Sequence, residues 1–395
     1  MIMDTNKATY ENTASVVMND YIDGLGLIRS LRCDERVRII LVGRRNSIAS
    51  RSKYPTELRL FETPDEQIRI LEELNERFRV CVPFPAGDNY FRLLVKNRER
   101  LNRFSIPWET VALLEKDEQI KIARSVGIRI PESITMSSMD ESDRLDRLEL
   151  PVIIKPLSRP EGERVFKAEI ATSKDEVFGL CRRSFERSIP VIISEFVDGP
   201  DSSLYTYGGY ARNGDPAIEY TGRKLMQVPH LRGVCGMGET VENPILLEQG
   251  RKFIARIGFT GMFQVEMKLC AKTGEFYYIE FNPRNWFWSY LATREGINIP
   301  LCRYYCETGL LHVQRTEGKP RARSRVFIWG DSVLYNLFVQ RWAGALVVLL
   351  KNLFRRKVWA VIERGDMRPF VRNILNNARL LTKDGRKAMQ ALSGR

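Results

Sequence analysis

Two alternating apolar runs, Gly261 to Cys270 and Phe276 to Arg284, flank Lys272-Thr273-Gly274, and this pattern fixes one element of the chain before any other. Period-two alternation on both sides of a glycine-bearing turn marks a β-hairpin, with Gly274 at the left-handed position of a three-residue loop. A loop centred on Thr273 sets Glu266 opposite Glu280 and Gln264 opposite Asn282. Side chains alternate along a strand, so Glu266, Glu280 and Asn282 share one face, and Val265, Met267, Ile279 and Phe281 share the other. Carboxylates opposed at ~4 Å repel by on the order of 4 kcal/mol at an effective dielectric near 20, which calls for a cation between them. Phe276, Tyr278, Phe281, Trp286 and Trp288 nearby argue against a solvated face. Two carboxylates and an amide oxygen suit a hard divalent ion such as Mg2+, which also bridges to phosphates. A general acid and base pair of the glycosidase kind is the competing chemistry, but it gives no role to Asn282 or Arg284.

The chain has 395 residues, 44% hydrophobic and 28% charged, enough for two or three folded domains. Its first hundred residues place strands at Ala14–Met18, Arg38–Val42 and Phe78–Phe84 around helices at Tyr21–Leu31 and Asp65–Glu76, a βαβαβ order that implies an open parallel sheet. Gly24 and Gly26 make only half of a dinucleotide fingerprint, and a close helix contact explains them better. A helix over Leu114–Val126 stops at Gly127 and leads into an extended strand; Ser137–Asp146 reads as a connector or solvated helix. Pro151–Pro156 and Val191–Val197 are further buried strands, the second closed by the turn Asp198-Gly-Pro-Asp201. From Trp329 onward the pattern is helical.

Several chemistries are excluded early. Only His230 and His312 are present, which leaves no histidine-rich metal site and little room for a Ser/His/Asp triad. Seven cysteines without a CxxC pair imply free thiols in a reducing compartment. Residues 315–395 hold 18 basic and 5 acidic side chains and account for the whole net charge of +13. The body is neutral, so the basic tail alone bears on an acidic membrane surface; no recognised motif accompanies it to suggest nucleic acid. The apolar run Trp342–Leu350 is far shorter than the roughly 20 residues of a membrane span. With no secretory leader visible in residues 1–16, a cytoplasmic location is expected, with peripheral attachment at the inner membrane face left open.

Over Val16 to Cys306 these residues resemble the ATP-grasp carboxylate-amine ligases, most closely those of the D-aspartate ligase kind. The resemblance implies an α/β fold: a Rossmann-like parallel domain over 1–110, two α+β ATP-grasp subdomains over 111–200 and 201–315 that enclose ATP, and a basic helical extension over 316–395. Its metal ligands fall on Glu266, Glu280 and Asn282, for Mg2+ with Mn2+ as the alternative. Arg284, in Asn-Pro-Arg, is similar to the arginine that steadies an acyl-phosphate; a guanidinium fork suits that anion. Lys116 and Lys155 resemble the lysines that hold ATP phosphates. Ser158–Lys167 stands where the family has a glycine-rich phosphate lid, yet holds one glycine, Gly162, so Arg164 or Lys167 would supply charge instead. Glu195, Phe196 and Val197 match the hinge that binds adenine, and Asp201 the acid on the ribose. Thr221–His230 followed by Gly233–Gly238 resembles a substrate loop in which Arg223 and Lys224 meet phosphate or an acidic substrate and the glycines allow movement.

The reaction so implied activates a small carboxylate, such as an amino acid, as an acyl-phosphate with release of ADP, after which an amine acceptor displaces phosphate to form an amide. The alternative is a non-catalytic, nucleotide-binding regulatory protein docked to an acidic membrane through its basic tail. A homodimer is left open by both readings.

Overall fold

The computed structural model describes residues 8–19, 21–106, 112–157, 165–310 and 325–378, and its strands form three sheets. The first is parallel, in the order β3-β2-β1-β4, from β1 (Thr13–Met18), β2 (Ile39–Arg44), β3 (Glu57–Phe61) and β4 (Val80–Pro85). β1 is buried along its whole length and β2 except at its last residue, as expected for parallel strands covered on both faces. The fourth strand, β3, escapes the βαβαβ reading because it is a charged edge: Glu57 pairs with Arg77, and Arg59 pairs with Glu73. α1 (Ile22–Leu31) lies close against its surroundings, and a Cβ on Gly24 would stand 1.9 Å from the Asn19 carbonyl oxygen. That close approach, rather than a nucleotide, accounts for the glycine. α2 (Pro64–Arg77) begins with a capping box between Thr63 and Glu66, and α3 (Asp88–Lys96) follows β4.

α4 (Lys116–Ser125) leads into the second sheet, which is antiparallel in the order β5-β8-β6-β7, from β5 (Ser133–Met136), β6 (Val152–Pro156), β7 (Glu169–Ala171) and β8 (Val191–Glu195). The acidic connector before β6 is a 3-10 helix, Met139–Arg147, capped by Ser138. α5 (Lys174–Phe185) packs Val177 and Cys181 into the core behind β6 and β8.

The third sheet has seven strands in the order β13-β12-β9-β10-β11-β14-β15: β9 (Leu204–Arg212), β10 (Asp215–Val228), β11 (Val234–Thr240), β12 (Gly261–Leu269), β13 (Phe276–Asn282), β14 (Val326–Ile328) and β15 (Lys357–Trp359). Its two faces do different work. Tyr207, Phe263, Val265 and Phe281 face α4 and α6 (Pro244–Ile257), whose Leu246, Phe253 and Ile254 complete one core. The alternate residues Tyr210, Tyr220 and Met262 join Trp286, Trp288 and the N-terminal domain in another. Glycine makes that second contact possible, because a Cβ on Gly208 would stand 2.6 Å from the Trp286 ring.

The segment expected as a mobile substrate loop is therefore part of a sheet. Thr221–Val228 and Val234–Gly238 belong to β10 and β11, and Gly238 faces the Trp288 ring, where a Cβ would come within 3.0 Å. Those glycines serve packing, not movement. α7 (Tyr290–Arg294) and α8 (Ile299–Thr308) follow β13, and the C-terminal region is helical as expected, with α9 (Gly330–Leu334), a π-helical turn (Tyr335–Val339), α10 (Gly344–Lys351) and helix over 368–378. It also supplies β14 and β15, two short strands that the sequence pattern conceals, so residues beyond 315 extend the same sheet. Among the described residues no helix is long and apolar enough to cross a membrane.

Candidate functional site

The hairpin sets Gln264 against Asn282, Val265 against Phe281 and Glu266 against Glu280, the register expected from its sequence. It arrives there by a different route. The turn closes between Cys270 and Glu275, one residue wider than expected, with Gly274 left-handed at φ +70°. An irregularity between Glu266 and Met267 then restores the register, leaving Ile279 extra, so Tyr278 rather than Ile279 joins Val265, Met267 and Phe281 in the core behind. Gln119 of α4 clamps this end of β13: its amide nitrogen donates to the Phe281 carbonyl at 2.9 Å, and its oxygen accepts from the Phe281 amide at 3.1 Å and the Tyr278 hydroxyl at 2.7 Å.

Each opposed carboxylate meets its own lysine. Lys116, the first residue of α4, donates to Glu280 at 2.9 Å, and buried Lys224 of β10 lies 3.0 Å from Glu266. Burial would raise the Glu280 carboxyl, yet the charges of Lys116, Lys155 and Lys167 hold it well below the usual carboxylate range. Lys155, on β6, is pushed down to about 8 by burial and by Lys116, against the opposing pull of Glu280 and Glu266. For Lys224 burial acts downward too, but Glu266 outweighs it and raises the ammonium. An amide relay holds the remaining oxygens: Gln264 donates to Thr206 at 3.0 Å and to Glu266 at 3.1 Å, while Asn282 donates to Gln264 at 3.2 Å. That orientation directs the Asn282 nitrogen into the relay and frees its oxygen as an acceptor.

Among the described residues no cluster of three or more His, Cys, Asp or Glu side chains has metal-holding geometry. The candidate set here is two carboxylates and one amide. Its donor chemistry fits a hard divalent cation, since all three can offer oxygen and each acid stands beside a lysine. Arg284 ion-pairs with Asp88 at the start of α3 at 2.5 Å, and burial, which acts downward, is outweighed by Asp88, with Glu280 and Asp23 adding to the rise of its guanidinium.

Two expected residues lie elsewhere. Arg223 pairs across the ladder with Tyr205, whereas Lys224 follows Gly222, whose partner Thr206 also pairs with Glu266. Strand alternation therefore puts Arg223 on the face opposite the carboxylates, where it pairs with Glu239 at 2.6 Å, and Arg355 takes the other Glu239 oxygen at 2.6 Å. Its place in the candidate site is corrected accordingly. Asp201 is buried and accepts from the Gln227 amide and side chain, the Leu231 amide and His230, all at 2.8–2.9 Å. Those bonds shape the β10–β11 connection and leave no oxygen for a ribose.

At the hinge, the Glu195 and Phe196 amides donate to the Glu132 and Pro151 carbonyls, both at 2.9 Å, and the Glu195 carboxylate accepts from the Glu149 amide. No hydrogen bond of the Val197 amide occurs among the described residues. Lys268, which the sequence reading passed over, lies 4.0 Å from the centroid of the Phe196 ring and is pushed down to about 8 by burial, against the pull of Asp201 and Asp198. The signal was available, because Lys268 stands two residues beyond Glu266 on an alternating strand. Of the lid, Lys167 is half-buried and its charge reaches Glu280; residues 158–164, with Gly162 and Arg164, lie outside the described residues.

No protein-family model matches the chain. Against curated proteins it is 22% identical over 247 residues to a D-aspartate ligase of Enterococcus faecium (strain Aus0004), covering 58% of this chain and 59% of that enzyme. Among solved structures it superposes on N5-carboxyaminoimidazole synthetase from Staphylococcus aureus with TM-score 0.60 and 14% identity, over 83% of this chain and 86% of that one. An L-amino acid ligase from Bacillus licheniformis gives TM-score 0.58 and 14% identity over 79% of each chain. Biotin carboxylase from Campylobacter jejuni gives 0.63 and 14% over 81% of this chain and 75% of that one. The architecture they share with this chain is the ATP-grasp fold.

Proposed function

We propose that this ATP-grasp chain is an ATP-dependent carboxylate-amine ligase that joins a small amino acid or similar carboxylate to an amine acceptor through an acyl-phosphate. The observation that carries the reading is the meeting of Glu266 and Glu280 across one hairpin, each ion-paired to a lysine from a separate element. In this reading residues 1–110, 111–200 and 201–315 form the domains around the nucleotide. Glu266, Glu280 and Asn282 hold Mg2+, or Mn2+ through the same oxygens, and the bound ion neutralises phosphate charge. Lys116 and Lys224 secure the carboxylates until phosphate draws their charge away. Lys155 and Lys167 bind the phosphate oxygens, and the Val197 amide is the hinge donor offered to adenine.

Arg284 carries the second half of the reaction. The substrate carboxylate attacks the terminal phosphorus, the bond to ADP breaks, and the product carbonyl bears phosphate. The amine then attacks that carbon, phosphate departs, and the amine proton is lost. A guanidinium steadied by Asp88 is suited to the oxyanion that forms between these events. The similarity to D-aspartate ligase supports an amino acid as the carboxylate.

The test is a screen of amino-acid pairs with ATP and Mg2+, reading amide products by mass spectrometry and phosphate release in parallel. A new amide formed with stoichiometric ADP, and lost on the order of 10³-fold in Glu280→Gln, is the expected result. Phosphate release unchanged in that variant would sink the reading.

A further inference from the structure

The helix α10 is apolar on two sides. Ala345, Val348 and Leu349 pack with Met237 and Ile328, on the Glu239 side of the third sheet and away from the candidate site. Leu346, Val347 and Leu350 recur at the spacing of one helical face and point outward, and Phe354, in the turn just beyond the helix, has 97% of its surface exposed. Phe338, in the π-helical turn that α10 packs against, is 73% exposed. One core-facing stripe is what a surface helix needs; the second stripe has no partner among the described residues.

Charge says what kind of surface suits it. Residues 330–360 contain five basic side chains, Arg341, Lys351, Arg355, Arg356 and Lys357, against the single acid Asp331. Arg355 is spent on Glu239, but Arg341, Lys351 and Arg356 stand exposed. A second copy of this chain would bring the same cations against them. The chain's own segments outside the described residues are no better matched: residues 311–324 hold four basic and one acidic side chain, and residues 379–395 five and one.

We propose that this face docks on an anionic membrane surface. The outward side chains of α10, with Phe354 in the turn beyond it and Phe338, enter the headgroup layer, and Lys351, Arg356 and Arg341 meet acidic lipid headgroups. The helix lies on the sheet face opposite the carboxylates, so docking leaves the candidate site uncovered. Nothing in this inference depends on the ligase reading.

Flotation of the full chain with vesicles of phosphatidylcholine, with and without 30% phosphatidylglycerol, tests it directly. Binding is expected only with the anionic lipid and should weaken as salt is raised. Each cation near the surface is worth a factor of about 5, so Lys351→Glu with Arg356→Glu should reduce binding on the order of 20-fold or more. Phe354→Ser should weaken it about tenfold while thermal unfolding stays unchanged, because that side chain touches little in the folded chain. Equal binding to neutral vesicles, no binding to either, or full binding by both variants overturns the proposal. So does a dimer that Phe354→Ser dissociates while vesicle binding stays intact, which would make the face a contact between copies.

Discussion

Arg223 and Lys224 are consecutive residues of one strand with opposite fates. Lys224 faces Glu266 among oxygens able to hold a cation, and Arg223 faces Glu239 beneath the helical layer, where Arg355 ties the C-terminal region to the sheet. The two faces use the same chemistry, a buried carboxylate matched by cations, for different ends. On the packing face the pairing is closed, since Glu239 has two arginines. On the site face each acid has one flexible lysine, an arrangement that an incoming triphosphate and cation can reorganise.

The sharpest way to break this contrast is to truncate both residues. Lys224→Met should lower kcat/KM for amide formation on the order of 100-fold, since it removes the cation held against Glu266 in the site. Arg223→Met should leave turnover near that of the unaltered protein. It should instead lower stability on the order of 1–3 kcal/mol in urea unfolding, because Glu239 stays buried with Arg355 alone. Were the two outcomes exchanged, the assignment of faces would be wrong.

Glycines sharpen the same contrast at smaller cost. Gly208→Ala presses a methyl group into the Trp286 ring on the site face and should destabilise by about 1–3 kcal/mol, read from the urea midpoint. Gly274→Ala meets no atom within 4 Å and adds only the strain of φ +70°, about 1 kcal/mol. A Gly274 variant worse than the Gly208 variant would show that the tryptophan contact is loose.

What could be read from sequence follows the range of the physics involved. The hairpin announces itself locally, by alternation and a glycine turn, and its register at Glu266 and Glu280 is right even though a wider turn and an irregularity had to compensate. The parallel strands of the N-terminal sheet are apolar runs and were equally visible, apart from the charged edge β3. Arg223 was misjudged because the face of a residue in β10 depends on its pairing with β9 and β11, a long-range fact absent from the residues themselves. Asp201 failed for a related reason. Its partners Gln227, His230 and Leu231 lie 26 or more residues away, so an acid after a turn looked free. β14 and β15 are three residues each, too short for any period to show.

The smallest effect is a pH dependence that separates Lys155 from its neighbours. Its ammonium sits at about 8, below its ordinary 10.5, because burial and the charge of Lys116 disfavour the protonated form. A charged Lys155 is therefore present below about pH 8 and is lost above it, so kcat/KM for ATP should fall on that side, about tenfold per pH unit at most. Bound triphosphate adds negative charge beside the ammonium, which moves the same limb of kcat to higher pH. Lys116→Met should also move the kcat/KM limb upward, because it removes one repelling charge and releases Glu280 to draw on Lys155. A limb that stays in place in the Lys116 variant, or moves down, would mean that Lys155 is not the titrating group. Lys155→Met is the control: it should lower kcat/KM at every pH and remove the part of the limb that Lys116→Met shifts, leaving only the contribution of Lys268, which also sits at about 8 beside Phe196.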